Sequence, residues 1–200
     1  MAQIAIVDLF EEALNRFDQL VQTAKKTEIR VPLSMALATV DNGGRPSVRT
    51  VMVKNYDRRG FVFFTHQRSR KGLQIDGNPH VALCFFCQPL MEQVTIEGLV
   101  ELVKDHEADA YWSTRARDAQ FAAWASCQSE PLDSRESLQN RLSEYQKKYA
   151  DQRVPRPPMW VGYRVIPNRI EFWRAGWRYL HERVCYSKAD NDWNVVLLNP

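Results

Sequence analysis

The sequence predicts a mainly antiparallel, closed or nearly closed β-barrel with peripheral helices. Three observations predict it: about eight short β-type apolar runs, hairpin-type turn signals between most of them, and long helical texture confined to the N-terminus and the stretch from His106 to Tyr149. A chain of 200 residues that is 44% hydrophobic, 26% charged and 11% aromatic fits one soluble domain over residues 1–200 and excludes intrinsic disorder.

Each element has its own signal. Leu9, Phe10, Ala13, Leu14, Phe17, Leu20, Val21 and Ala24 recur at three- and four-residue intervals, predicting an amphipathic helix over about 8–26 that ends on Lys25 and Lys26, where the macrodipole favours cations. Met35 to Val40 reads as a strand, Asp41 to Gly44 as a turn and Ser47 to Lys54 as the returning strand. A turn at Tyr56 to Gly60 leads into a strand at Phe61 to Thr65, then a short helix from about Ser69 to Asp76 and strands at His80 to Phe86 and Gln93 to Val103. His106 to Tyr149 is a helical insertion, broken near its middle by Pro131. Beyond the Pro-rich linker Val154 to Pro158, strands are expected at Val161 to Ile166, Arg169 to Trp173, Trp177 to Tyr186 and Trp193 to Leu198, within the same domain.

Several function classes are excluded early. No apolar run approaches the roughly 20 residues of a membrane span, and Asp8, Glu11 and Glu12 interrupt the N-terminal apolar stretch, so a cytoplasmic protein is expected. A net charge of +3 is too small to argue for nucleic acid. Cys84 and Cys87 have metal or redox spacing but lie in a β-type run without a second pair; they read as buried hydrophobes, and Cys127 and Cys185 add no framework. His66, His80, His106 and His181 form no ligand pair, so no metal is expected, and no Rossmann, P-loop, zincin or serine-hydrolase spacing occurs.

Two groups remain that carry chemistry. Between Asn42 and Gly72 eight basic residues face one acid, Asp57. Within that stretch Ser69, Arg70 and Lys71 open the short helix, where cations oppose the macrodipole unless an anion joins them; free helix N–H groups, hydroxyl, guanidinium and ammonium together fit a phosphate. A solvated basic loop is the plain alternative. Arg49 and Lys54 differ by five positions and so face opposite sides of a regular strand, unless a bulge intervenes. In the second group, on the predicted strand from Trp177, Tyr179, His181 and Arg183 share one face, with Trp173 nearby as a stacking surface. That face suits either a planar anionic ligand in a cleft or plain solvent at a sheet edge.

Separated motifs in order, Arg49 to Lys54, Phe64-Thr65 with Ser69-Arg70-Lys71, Glu92-Gln93-Val94, Arg117-Asp118 with Gln128-Ser129, and Glu171-Phe172-Trp173 with Leu180-His181-Glu182-Arg183, give a chain that resembles the pyridoxamine 5'-phosphate oxidase family from about Leu9 to Pro200. The resemblance implies an FMN-binding split β-barrel, a homodimer with FMN in clefts between subunits, and oxidation of pyridoxamine or pyridoxine 5'-phosphate to pyridoxal 5'-phosphate. Oxygen is the electron acceptor and hydrogen peroxide the by-product. It implies FMN contacts at Arg49, Thr50, Val51, Met52, Val53, Lys54, Phe64, Thr65, Ser69, Arg70, Lys71, Gln93, Gln128, Ser129, Trp173 and Arg183. It also implies substrate phosphate anchors at Lys54, Tyr111 and Arg115, and His181 and Tyr179 as the residues at the substrate ring.

Two positions depart from the family pattern: Ala119 stands where a serine anchor is usual, and Tyr179 where an arginine is usual. A basic N-terminal segment that covers the site in some members is expected to be absent, since the chain begins almost at its first helix. Three competing readings follow: a related FMN oxidase of the phenazine-pathway type, a non-catalytic binder of flavin or pyridoxal phosphate, and a nucleic-acid-binding barrel built on the 42–72 stretch.

Overall fold

The computed structural model describes residues 8–27, 33–190 and 192–200; residues 1–7, on which the expectation about an N-terminal covering segment bears, lie outside them. Helix α1 (Leu9–Ala24) is capped by Asp8, whose carboxylate accepts the Glu11 N–H at 3.1 Å. Its apolar stripe closes one side of the main core, with Phe17 fully buried and edge-on to Tyr56, Phe61 and Phe85 at 5.0, 5.3 and 6.1 Å between ring centres. The rim of the helix is tied by polar contacts: the Tyr56 and Tyr186 hydroxyls donate to Asp18 and Glu12, each at 2.7 Å.

Eight antiparallel strands follow: β1 (Ser34–Val40), β2 (Pro46–Asp57), β3 (Gly60–His66), β4 (His80–Cys87), β5 (Glu92–Leu102), β6 (Trp160–Arg174), β7 (Glu182–Ala189) and β8 (Asp192–Leu197). Their order is β3-β2-β1-β4-β5-β6-β7-β8, and β3 also pairs with β6, so six strands close into a barrel while β7 and β8 extend the sheet beyond it. Helix α2 (Arg70–Gly77) lies between β3 and β4 in the chain; α3 (Asp105–Ser113), α4 (Arg117–Ala125) and α5 (Arg135–Lys148) fill the insertion, with Pro131 in the loop between α4 and α5 as predicted. Trp112, Phe121 and Trp160 form a second, smaller core with Val154 of the linker, and the Trp112 indole donates to the Val154 carbonyl at 2.9 Å.

Two expectations need correction. The strands expected at Val161 to Ile166 and Arg169 to Trp173 are one strand, β6, carried through Pro167 by a bulge: Glu97 pairs with Arg169 and Gly98 with Pro167, leaving Asn168 without a partner in β5. Gly98 permits this because a Cβ there would stand 2.0 Å from the Ile166 carbonyl oxygen. The strand expected from Trp177 starts only at Glu182; Trp177–Tyr179 is a 3-10 turn with Arg178 and Tyr179 both left-handed, at φ 53° and 66°. The Gly176 Cα lies so close to the Leu180 carbonyl that a Cβ would meet it at 1.7 Å, which closes the chain into a tight loop before pairing resumes. Tyr179, His181 and Arg183 therefore do not share the face of one strand.

The barrel is open on one seam. β2 and β3 pair from Asp57↔Gly60 to Val53↔Phe63 and then separate: residues 46–52 of β2 keep only β1 as a ladder partner, and Phe64, Thr65 and His66 keep only β6. The register shifts between Val53 and Asn55, so Lys54 sits at a bulge where the two strands part.

Candidate active site

The seam leaves backbone donors and acceptors of both strands without ladder partners, and two groups of cations stand beside it. The first is built by β2, the end of β3 and the start of α2. Ser69 caps α2, its hydroxyl accepting the Gly72 N–H at 3.4 Å. Lys71, only 9% exposed, donates to Gln128 Oε1 at 2.8 Å, Thr65 Oγ1 at 3.2 Å and Ser69 Oγ at 3.4 Å. Arg49 reaches inward to the Leu37 carbonyl, Thr39 Oγ1 and Gln74 Oε1 at 3.1, 2.6 and 3.1 Å. Among the described residues none of Arg49, Arg70 and Lys71 has an acidic partner. Burial and then the Arg49 charge push the Lys71 ammonium down to about 8, and burial followed by Arg70 lowers Arg49. Cations gathered at a helix N-terminus without a counter-charge form an anion site. A cleft of about 990 Å³ opens beside it, where Arg45, Arg68 and Arg70 outnumber the carboxylates Asp41 and Glu130, and Ser129 lines the wall.

The second group lies across the seam. Phe64, Tyr111 and Trp160 form a mutual stack, with Phe64 4.3 Å from Tyr111 and 5.0 Å from Trp160 between ring centres, and Lys54 Nζ stands 6.0 Å from the centre of the Tyr111 ring. The Arg115 guanidinium lies over Trp160 at 4.9 Å and donates to the Ala119 carbonyl at 3.0 Å, while its Nε is buried without a partner. Arg115 has no ion-pair partner among the described residues, so its charge is available to an anion in the adjoining hollow. A hollow of about 320 Å³ reaches from Arg115 and Ala119 to Thr65 and Gln128, so it touches both groups.

The predicted residues thus sort by position. Arg49, Thr65, Ser69, Arg70, Lys71 and Gln128 converge at the first group, with Ser129 left-handed at φ 75° on the cleft wall. Val51 and Val53 are core side chains and Thr50 and Met52 face out of β2, so from 50 to 53 the seam is lined by backbone. The bulge does not bring Arg49 and Lys54 together, since Lys54 shares the side of Met52, whose sulfur it approaches at 3.8 Å.

A third group lies elsewhere. Gln93, Trp173 and Arg183 are register neighbours across β5, β6 and β7. His181 packs on Trp173 at 4.9 Å, and its Nδ1 accepts the Gly176 N–H at 3.3 Å, which leaves the ring proton of the neutral form on Nε2. Tyr179 is 85% exposed, edge-on to His181 at 6.3 Å. Thr65 pairs with Val161 at one end of β6 and Gln93 with Trp173 at the other, twelve residues along it, which is roughly 40 Å of strand path at about 3.3 Å per residue. Gln74 and Thr39, which hold Arg49, and Glu171, which holds Arg183, were not singled out as site residues; inward polar residues on strand and helix faces otherwise apolar were the signal available for the first two.

The model of the family described as pyridoxamine 5'-phosphate oxidase matches residues 21–174, and that of the pyridoxine 5'-phosphate oxidase C-terminal dimerisation region matches residues 160–200. The chain belongs to the pyridoxamine 5'-phosphate oxidase family. A pyridoxine/pyridoxamine 5'-phosphate oxidase of Myxococcus xanthus (strain DK1622) is 50% identical over 189 residues, covering 94% of this chain and 92% of the relative. One from Alkalilimnicola ehrlichii is 47% identical over 196 residues, covering 97% and 100%. The crystal structure of PhzG from Burkholderia lata 383 in complex with tetrahydrophenazine-1-carboxylic acid superposes with a TM-score of 0.90 at 29% identity over the full length of both chains. As a member of this oxidase family the chain is an FMN-dependent oxidoreductase with the family's barrel. No helix among the described residues is long and apolar enough to cross a membrane, and none of their His, Cys, Asp and Glu side chains cluster as a metal site. All four cysteines are free, Cys87 and Cys185 buried, Cys84 half-buried and Cys127 exposed.

Proposed function

We infer that this chain binds FMN at the seam and oxidises pyridoxamine or pyridoxine 5'-phosphate to pyridoxal 5'-phosphate, passing the electrons to oxygen with release of hydrogen peroxide. The observation that carries the reading is the pair of cation groups, without ion-pair partners among the described residues, that flank the unpaired edges of β2 and β3: two such groups beside one slot fit a cofactor phosphate and a substrate phosphate. Arg49, Ser69, Arg70 and Lys71 take the flavin phosphate, with Thr65, Gln128 and Ser129 beside it and the backbone of 50–53 along the ring system. Lys54, Tyr111 and Arg115 take the substrate phosphate. FMN when bound supplies the two-electron chemistry, and the protein supplies placement and charge.

Gln93, Trp173, His181 and Arg183 stand at the other end of β6 from Thr65 and line neither cleft beside the seam. The reading therefore includes a homodimer in which each site draws these residues from the partner subunit, in line with the dimerisation-region match over 160–200. There His181 offers its Nε2–H to the substrate ring, and Tyr179 offers a phenol where the family pattern has a cation. Ala119 and Tyr179, with the overlap on PhzG, favour a second reading, an FMN oxidase acting on an unphosphorylated ring. The retained Lys54, Tyr111 and Arg115 argue for the phosphorylated substrate.

The test is anaerobic. Purified FMN-loaded protein is mixed with pyridoxamine 5'-phosphate without oxygen, and the flavin absorption is followed. Bleaching, with recovery and peroxide on admitting air, is the expected result; a flavin band that stays unchanged removes the vitamin substrate and leaves the second reading.

A further inference from the structure

On its outward face, the third group continues into a charge network centred on the buried Glu171. Alternate residues of three strands form a grid: Gln93, Thr95 and Glu97 on β5, Trp173, Glu171 and Arg169 on β6, Arg183, Cys185 and Ser187 on β7. Glu171 sits at its centre, 9% exposed. Its Oε1 accepts both Nε and Nη2 of Arg183 at 2.7 Å, its Oε2 accepts Arg169 Nη2 at 2.5 Å, and Arg169 Nη1 reaches Glu97 at 2.8 Å. The Asn199 carbonyl accepts Arg183 Nη1 at 3.0 Å. Burial raises the Glu171 carboxyl, and Arg183 and Arg169 together bring it below the ordinary carboxylate range, so both its charge and its geometry are committed.

The four charges sum to zero. Arg183 is held on three of its donors and keeps its remaining N–H groups for what lies beyond the sheet. We propose that Glu171 is a positioning residue that fixes the attitude of Arg183 toward the flavin ring and offsets its charge, thereby holding down the reduction potential of the bound FMN. The inference rests on the reading that Arg183 meets FMN. Reduction adds two electrons and, at neutral pH, one proton, leaving a negative charge on the ring; a guanidinium freed from its carboxylate partner favours that reduced form. Glu171 touches neither flavin nor substrate and acts only through Arg183.

The experiment is a redox titration of the FMN-loaded full chain with a reference dye. Glu171→Gln keeps an amide oxygen for Arg183 and removes the charge. Its expected effect is about a tenfold rise in the equilibrium ratio of reduced to oxidised flavin, about 30 mV upward for a two-electron couple. In the Arg183→Gln background the same change is expected to shift the ratio less than threefold, because the group it acts through is gone. A Glu171→Gln potential equal to wild type overturns the inference, and so does an equal shift in both backgrounds. Should Glu171→Gln fail to fold, Glu97→Gln tests the far end of the network at a half-exposed position: it draws Arg169 more fully onto Glu171, loosens the hold on Arg183, and is expected to give a smaller shift of the same sign. No shift there overturns the inference. A wild-type chain that takes up no FMN overturns the functional reading itself, whereas FMN uptake with a potential indifferent to Arg183→Gln removes only Arg183 and Glu171 from the flavin.

Discussion

Lys71 carries the sharpest pH signature among the single residues. Its ammonium is lowered from an ordinary 10.5 to about 8 by burial and by Arg49. A bound phosphate dianion favours the protonated form, so FMN affinity is expected to be flat in this group below pH 8 and to fall by up to tenfold per pH unit above it, read as Kd by fluorescence quenching. The sign for the unliganded fold is opposite. The unfolded chain holds the proton more tightly, so from about 8 to about 10.5 this lysine makes stability rise with pH. Tyr179 gives a second residue-level expectation: Tyr179→Arg restores a charge-assisted contact worth roughly 1.5–3 kcal/mol, and kcat/KM for pyridoxamine 5'-phosphate should rise about ten- to a hundredfold. Steady-state peroxide production measures it, and no gain counts against Tyr179 facing the substrate. The anion site at Ser69 to Lys71 was legible in sequence because a capping serine followed by uncompensated cations is a local pattern. The misplacement of Tyr179 and His181 has an equally local cause: Trp177 to Arg183 alternates like a strand, and only the close approach at Gly176 turns it into a loop.

At the level of elements, α1 is where periodicity translated most directly into structure, because a stripe of eight apolar residues at helical spacing has one way to be buried. Phe17 is its anchor, edge-on to three rings and fully enclosed. Phe17→Ala is expected to cost about 3–5 kcal/mol in unfolding free energy by denaturant titration, since the rings around it are fixed by separate strands and cannot collapse into the space. β6 shows the limit of the same reasoning. Pro167 reads as a strand end, and in a regular ladder it would be one; the bulge opposite Gly98 removes the need for its missing N–H and keeps fifteen residues in one strand. A bulge is a property of two strands, so one strand's sequence does not announce it.

For the whole molecule, pairing of β3 with β6 joins residues about a hundred positions apart and leaves β2 to part from β3, and no local pattern carries that information. The proposal that each site is composed from two subunits allows a direct test. Lys71→Met and Arg183→Gln each damage a different half of the site, and when the two proteins are unfolded and refolded together, half of the dimers pair unlike chains with one intact site of two. About a quarter of the sites are expected to regain wild-type FMN affinity above the weakened binding of either variant alone, read as a tight-binding fraction in a fluorescence-quenching titration; no tight fraction would place both halves in one chain. The seam itself has a further consequence for the life of the protein before its cofactor arrives. Two unpaired strand edges facing each other across a slot are open templates for a neighbouring chain, the geometry from which intermolecular sheet growth starts. The cofactor is then also a plug against self-association: on slow warming, flavin-free protein should scatter light at a lower temperature than the flavin-loaded form at equal concentration, and FMN added beforehand should abolish the difference.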